Sequence, residues 1–386
     1  MGLSVGVEEE FLLIDPAGRP VPAAAAVIEA ADGSGVRLYG ELTTAQVETN
    51  SAVCHGMRQL RSELFGLRSV AAAAASRAGA RLVAAGTLIA GEPTLALSDT
   101  PRYRRMAQRY GRLVDEQSIC GCHVHIGLPD RETAVQVSNH LRPWLPTLLA
   151  LTANSAVHCG RDTGHASWRS IIASRWPCSG PPPYFPSAAH YDATVEMLID
   201  TETIMDPGMI YWDVRPSAHL PTLEVRVSDV PSTVAETTLL ATLVRGLVTT
   251  AVRDLDAGRT APPVQAEVLR AAYWRSAHDG LTGQALDPIS ERPTTPRDML
   301  SALLRHIDPD LEELGERAAV RTLLATVLTH GNGAIRQRRA LAQQHAIADV
   351  VDQAVHATLQ NTWPLLLPDG SRQGQPDQDT RYGRTA

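Results

Sequence analysis

The stretch Leu3-Ser4-Val5-Gly6-Val7-Glu8-Glu9-Glu10-Phe11-Leu12-Leu13-Ile14 alternates like a β-strand, and the turn residues Asp15-Pro16-Ala17-Gly18 close it. Strand side chains point alternately to opposite faces. Val5, Val7, Phe11 and Leu13 therefore share one face with Glu9, while Ser4, Gly6, Glu8 and Glu10 share the other. Three more segments repeat the pattern. Over 119–128, Cys120, Cys122, Val124, Ile126 and Leu128 oppose Gly121, His123, His125 and Gly127. Over 220–228, Leu223, Val225 and Val227 oppose Thr222, Glu224 and Arg226. Over 211–215, Trp212 and Val214 oppose Tyr211, Asp213 and Arg215.

Each strand thus has an apolar face, suited to packing on helices. The opposite faces together carry Glu8, Glu10, His123, His125, Asp213, Arg215, Glu224 and Arg226. Carboxylates with one or two histidines suit hard divalent cations, Mg²⁺ or Mn²⁺. Arginines on the same face suit a phosphate or carboxylate substrate. Gly6, Gly121 and Gly127 remove bulk beside these groups, as where a ligand approaches backbone. The competing reading is a solvated face laced with salt bridges. Agreement of parity across four strands argues against it.

Elsewhere the pattern predicts an extended region over 36–50 and a helix from Met57 to Ala85, stopped by Gly86. A second helix starts at Pro101 and runs to about Glu116. A third spans 130–156, bent near Pro143 and Pro146. Residues 160–190 are broken by glycines and prolines, a long loop with the makings of a lid. Helices are expected over 234–256, 262–278, 296–305, 309–330 and 331–359. Strands and helices do not strictly alternate, so the fold class is α+β with an antiparallel sheet. One catalytic domain is expected over 1–366, followed by a disordered polar tail over 367–386.

Composition narrows the chemistry. The 386 residues include no lysine, so all 35 basic side chains are arginines. A P-loop lysine and a pyridoxal Schiff base are excluded. A net charge of −7 argues against nucleic-acid binding. Five scattered cysteines, without a paired C-x-x-C, point to a reducing, cytoplasmic setting. The alanine-rich run Val70–Ala85 contains Arg77 and Arg81, too charged and short for a membrane span. Glu41 and Glu48 on their own read as surface charges. Arg336, Arg338 and Arg339 read either as a solvated helix face or, beside Gly331-Asn332-Gly333, as a nucleotide contact.

Eight segments in order along residues 4–360 resemble the glutamate–cysteine ligase type-2 family, in its carboxylate–amine ligase (YbdK-like) branch. They are Gly6-Val7-Glu8-Glu9-Glu10-Phe11, Glu41-Leu42 to Gln46-Val47-Glu48, Gly121-Cys122-His123-Val124-His125-Ile126-Gly127 and Gly160-Arg161-Asp162-Thr163-Gly164. Next come Ser174-Arg175-Trp176-Pro177 with Gly180-Pro181-Pro182-Pro183, Trp212-Asp213-Val214-Arg215-Pro216-Ser217, Thr222-Leu223-Glu224-Val225-Arg226-Val227-Ser228-Asp229, and Asn332-Gly333-Ala334 to Arg336-Gln337-Arg338. The resemblance implies a glutamine-synthetase-like cup: a curved antiparallel sheet of about six strands with helices on its convex side. It implies ATP with Mg²⁺ or Mn²⁺, an acyl-phosphate intermediate, a glutamate-like carboxylate substrate, an amine substrate and a homodimer. By resemblance Glu8, Glu10, Glu41, Glu48, His123, His125 and Glu224 hold metal. Arg226, Arg215 and Glu48 act on the reacting groups, and Arg226, Arg336 and Asn332 contact nucleotide. Cys122 departs from the usual Thr or Ser, on the apolar side. A metal-dependent amide hydrolase using the same cup is the alternative.

Overall fold

Val5–Ile14 forms the central strand, β1, of a seven-stranded antiparallel sheet. The other strands are β2 (Leu38–Gly40), β3 (Gln46–Asn50), β4 (Arg81–Val83), β5 (Gly121–Gly127), β6 (Val214–Pro216) and β7 (Thr222–Asp229). They run in the order β6-β7-β5-β1-β3-β2, with β4 paired to the C-terminal end of β1. This computed structural model describes residues 2–92, 95–344 and 346–360. The expected tail over 367–386 lies outside the described residues.

Register carries the alternation from strand to strand. Glu8 faces His123 across β1–β5, and Glu10 faces Glu48 across β1–β3. Glu224 faces His125 across β7–β5, and Arg215 faces Glu224 across β6–β7. One irregularity interrupts β7. Val225 pairs Val124 but Ser228 pairs Cys122, so two residues, Arg226 and Val227, sit opposite His123 alone. This is a β-bulge.

The apolar faces of β1, β5 and β7 pack on the helices Met57–Arg77 and Val234–Asp256. Val5, Val7, Cys122, Val124, Leu223 and Val225 share one buried cluster with Leu60, Leu64, Leu240 and Val244. A capping box starts the second helix: Thr233 accepts from the Glu236 N–H while the Glu236 carboxylate accepts from the Thr233 N–H. Glu9 points into this apolar layer, fully buried, and is matched there by fully buried Arg68. The pair is bidentate, at 3.0 Å and 2.6 Å. Thr237 Oγ1 also donates to Glu9, and Arg68 donates to the carbonyls of Pro231, Ser232 and Thr358.

The structure departs from the sequence expectation in several places, and the helix expected over 331–359 is two, Gly333–Gln344 and Ile347–Thr358. The helix expected to reach Ala85 stops at Arg77; the chain turns at Gly79 (φ +73°) and continues as β4. Leu82 and Val83 pair with Leu13 and Leu12, and the sheet gains a strand by it. Helices Ala24–Ala31 and Ala188–Asp200 fill stretches to which no element was assigned. The helix from Pro296 runs through Pro309 to Glu313 rather than breaking there. The break falls instead at Gly315 (φ +69°), before Arg317–His330.

Candidate active site

The other face of the sheet opens into a cleft of about 270 Å³. Its floor is Glu8, Glu10, Gln46, Glu48, His123 and Arg226, from β1, β3, β5 and β7, with Glu41 from the β2–β3 connection. Its walls come from the helix Pro101–Tyr110 (Arg102, Tyr103, Met106) and from the segment leading into β6 (Tyr211, Asp213). The loop after residue 160 adds Arg169, Ala173, Trp176 and Ser179.

Six carboxylate and imidazole side chains fall into two groups of three, in each of which the donor atoms lie within 4.8 Å of one another. The first is Glu8, His123 and Glu224; the second is Glu10, Glu41 and Glu48. His123 joins them. Its Nδ1 lies 3.1 Å from Glu8 Oε2, and its Nε2 lies 3.7 Å from Glu10 Oε1. Arg226 reaches Glu224 Oε1 and lies 3.2 Å from His123 Nδ1. Arg215 grips Glu224 from the other side at 2.8 Å and 3.3 Å.

Electrostatics separate the two groups. Burial raises the pKa of Glu8, but His123 and His125 outweigh it and hold the carboxyl well below the usual range. Burial likewise opposes ionisation of Glu224, and Arg226 and Arg215 overcome it. In the second group, Arg226 lowers Glu41 only as the weakest of its influences. Burial and then the charges of Glu41, Glu8 and Glu10 push Glu48 up to about 10. Burial and the charge of Glu10 push Glu41 up to about 7. Like charges this close cannot all ionise unless positive charge joins them. Buried His123 Nε2, meanwhile, has no hydrogen-bond partner. A crowd of carboxylates with an orphaned imidazole nitrogen fits hard divalent cations.

Not every residue singled out in the sequence reaches the cleft. Arg215 is absent from its lining; Glu224 and the carbonyls of Ile210 and Gly208 occupy its guanidinium. His125 lies on the right face but belongs to neither three-donor group. Its Nδ1 is 3.0 Å from Thr222 Oγ1 and its Nε2 is 3.2 Å from Glu8 Oε1. Asn332 and Arg336 lie away from the cup. Asn332 Nδ2 donates to the carbonyls of Ala150 and Leu151, and Arg336 pairs with Glu236 at 2.7 Å and 2.9 Å. The Gly-Asn-Gly segment here serves packing, since a Cβ on Gly333 would fall 1.9 Å from Asn154 Oδ1. Cys122 is buried in the core cluster, and burial drives its thiol pKa well up.

Tyr211, which parity puts on this face, lines the cleft, and the structure adds lining residues that parity could not reach: Gln46, Arg102, Tyr103, Arg169 and Trp176. The glycine beside His123 hints at Arg169. A Cβ on Gly121 would lie 2.5 Å from an Arg169 amine and 3.1 Å from His123 Nε2. Gly121→Ala should therefore displace Arg169 and crowd the imidazole while β5 stays paired. We expect a loss of at least about 10-fold in turnover with an unchanged circular dichroism spectrum.

A sheet face that gathers acids and two imidazoles, backed by helices, has the donors that an ATP-dependent carbon–nitrogen ligase would need to hold cations. The comparisons agree. The profile of the glutamate–cysteine ligase family 2 (GCS2) matches residues 4–356. A Nocardia farcinica protein provisionally named glutamate–cysteine ligase 2-1 is 52% identical over 378 residues, covering 97% of this chain and 98% of its own. A Mycolicibacterium smegmatis protein provisionally named glutamate–cysteine ligase 2-3 is 51% identical over 356 residues, 92% of this chain and 98% of its own. Among solved structures, the glutamate–cysteine ligase of Francisella tularensis in complex with AMP shares the fold, at a TM-score of 0.70 and 12% identity. That match covers 93% of this chain and 88% of the other. The chain belongs to the glutamate–cysteine ligase family 2. Among the described residues no helix is long and apolar enough to cross a membrane.

Proposed function

We propose that the protein joins a glutamate-like carboxylate to an amine, using ATP and passing through an acyl phosphate. The observation that supports this most is the pair of three-donor groups side by side on one cup face, with a guanidinium at their edge. Glu8, His123 and Glu224 would hold one Mg²⁺ or Mn²⁺, and Glu10, Glu41 and Glu48 another. Such ions, when bound, neutralise phosphate oxygens and favour attack on the terminal phosphorus. The carboxylate attacks the γ-phosphorus and ADP leaves; the amine then attacks the acyl carbon and phosphate leaves.

The chain's own residues hold and surround these reactants. Arg226, fixed by Glu224, sets positive charge in the cleft before any phosphoryl oxygen arrives. Arg215 orients Glu224 rather than meeting substrate. Tyr103, Trp176 and Tyr211 wall the cleft with apolar surface, which would shield an acyl phosphate from water. Five cysteines, all free, support a cytoplasmic setting. A homodimer, implied by the family, is read directly by sedimentation.

The test is product analysis with glutamate, ATP, Mg²⁺ and hydroxylamine as the trapping amine. A hydroxamate with ADP and phosphate in equal amounts is the expected result. AMP and pyrophosphate as the main products would overturn the acyl-phosphate route. Amide hydrolysis without ATP consumption would overturn the ligase reading and favour a metallohydrolase.

A further inference from the structure

We propose that Arg169 is a further catalytic residue, the guanidinium that meets the transferred phosphoryl group. This inference rests on the ligase reading above and adds a residue that neither the strand pattern nor the family motifs singled out. Arg169 is 6% exposed and lines the cleft. Its Nε is buried without a partner, and its one described guanidinium hydrogen bond runs from an amine to the Arg226 carbonyl at 3.3 Å. Among the described residues no carboxylate lies within ion-pair distance of it. The other arginines near the cleft are committed: Arg226 to Glu224 and His123, Arg215 to Glu224, Arg102 to Asp206 at 3.1 Å.

A buried cation with most of its five donors idle is costly unless an anion completes it. The fold appoints its position. Gly121 leaves out the Cβ that would collide with an Arg169 amine, so the guanidinium lies over β5 beside His123 Nε2. Its backbone is fixed from below by Asp229, fully buried at the end of β7. The Asp229 carboxylate accepts from Ser155 and Ser167 at 2.7 Å and 2.8 Å, Ser155 Oγ accepts from the Arg169 N–H at 3.0 Å, and Ser167 caps the helix Trp168–Ala173. A rigidly held, uncommitted fork next to two carboxylate groups is suited to a phosphoryl group bearing several oxygens.

Calorimetric titration of the full-length protein in Mg²⁺ with ADP and with the non-hydrolysable triphosphate AMP-PNP tests this apart from turnover. Arg169→Gln should weaken AMP-PNP at least about 10-fold while ADP stays within about twofold. Arg169→Lys keeps the charge and loses the fork, and should weaken AMP-PNP in the same direction at an unchanged melting temperature; it carries the comparison if Arg169→Gln does not fold. Equal losses for both nucleotides, or none, in a folded variant would overturn the assignment of Arg169 alone. A wild-type protein that binds neither nucleotide would overturn the ligase reading, and this inference with it.

Discussion

Glu8→Gln is expected to lose at least about 10²-fold in turnover while folding normally. Glu8 is the meeting point of the first donor group, with His123 Nδ1 at 3.1 Å and His125 Nε2 at 3.2 Å. Glutamine keeps the shape but removes the charge that the two imidazoles share and that a cation there would need. The side chain is 24% exposed, so the core does not depend on it. Glu9→Gln, one residue along and on the opposite face, should behave in the reverse way: reduced stability, with turnover retained in the folded fraction. A coupled ADP assay together with thermal melts of both variants checks the pair. Turnover lost in Glu9→Gln but kept in Glu8→Gln would contradict the strand register.

Arg68→Met should cost about 3–5 kcal/mol, because it leaves Glu9 charged, buried and unpaired. It also strands the carbonyls of Pro231, Ser232 and Thr358, which link the start of one core helix to the end of the last one. Neither partner is exposed, so solvent cannot compensate. With about 2 cal/mol/K of unfolding entropy per residue, this loss lowers the melting temperature by on the order of 5 °C. The double variant Arg68→Met/Glu9→Leu should recover much of it, since an apolar pair needs no counter-charge. Urea unfolding of the three proteins reads both effects; equal midpoints for wild type and Arg68→Met would refute the first.

Alternation made the sheet legible. A period of two is short enough that a ten-residue strand states it several times, and β1, β5 and β7 place Glu8, Glu10, His123, Glu224 and Arg226 on the face read for them. Glu41 and Glu48 lie where parity alone was silent, in a connection and a five-residue strand, and the family motifs found them. β4 was hidden by composition. An alanine run is favourable for helix, and only tertiary pairing of Leu82 and Val83 with β1 overrides that preference. Arg336 and Asn332 drew attention as polar residues beside glycines, yet the Asn332 amide and the Arg336 amines are bonded to groups away from the cup. The cleft walls are contributed by irregular segments such as 173–179 and 207–213. Parity over 211–215 does put Tyr211 on the inward face, but no periodicity marks a residue in 173–179, so Trp176 is visible only as part of a motif and Arg169 not at all.

The bulge in β7 sets which face each residue beyond it presents. Up to Val225 the strand keeps the phase of β5, so Glu224 shares the face of Glu8 and His123 and groups with them. The extra residue at 226–227 gives both Arg226 to the cleft and Val227 to the core, and then shifts the phase by one. Asp229 consequently sits across from Gly121, on the side where Ser155 and Ser167 wait, and Ser228 turns toward the core instead. Without the bulge, unbroken alternation through all these residues would exchange their places, unfasten the loop that carries Arg169 and bury a carboxylate among aliphatic side chains. One extra residue thus decides which of two adjacent side chains fastens that loop.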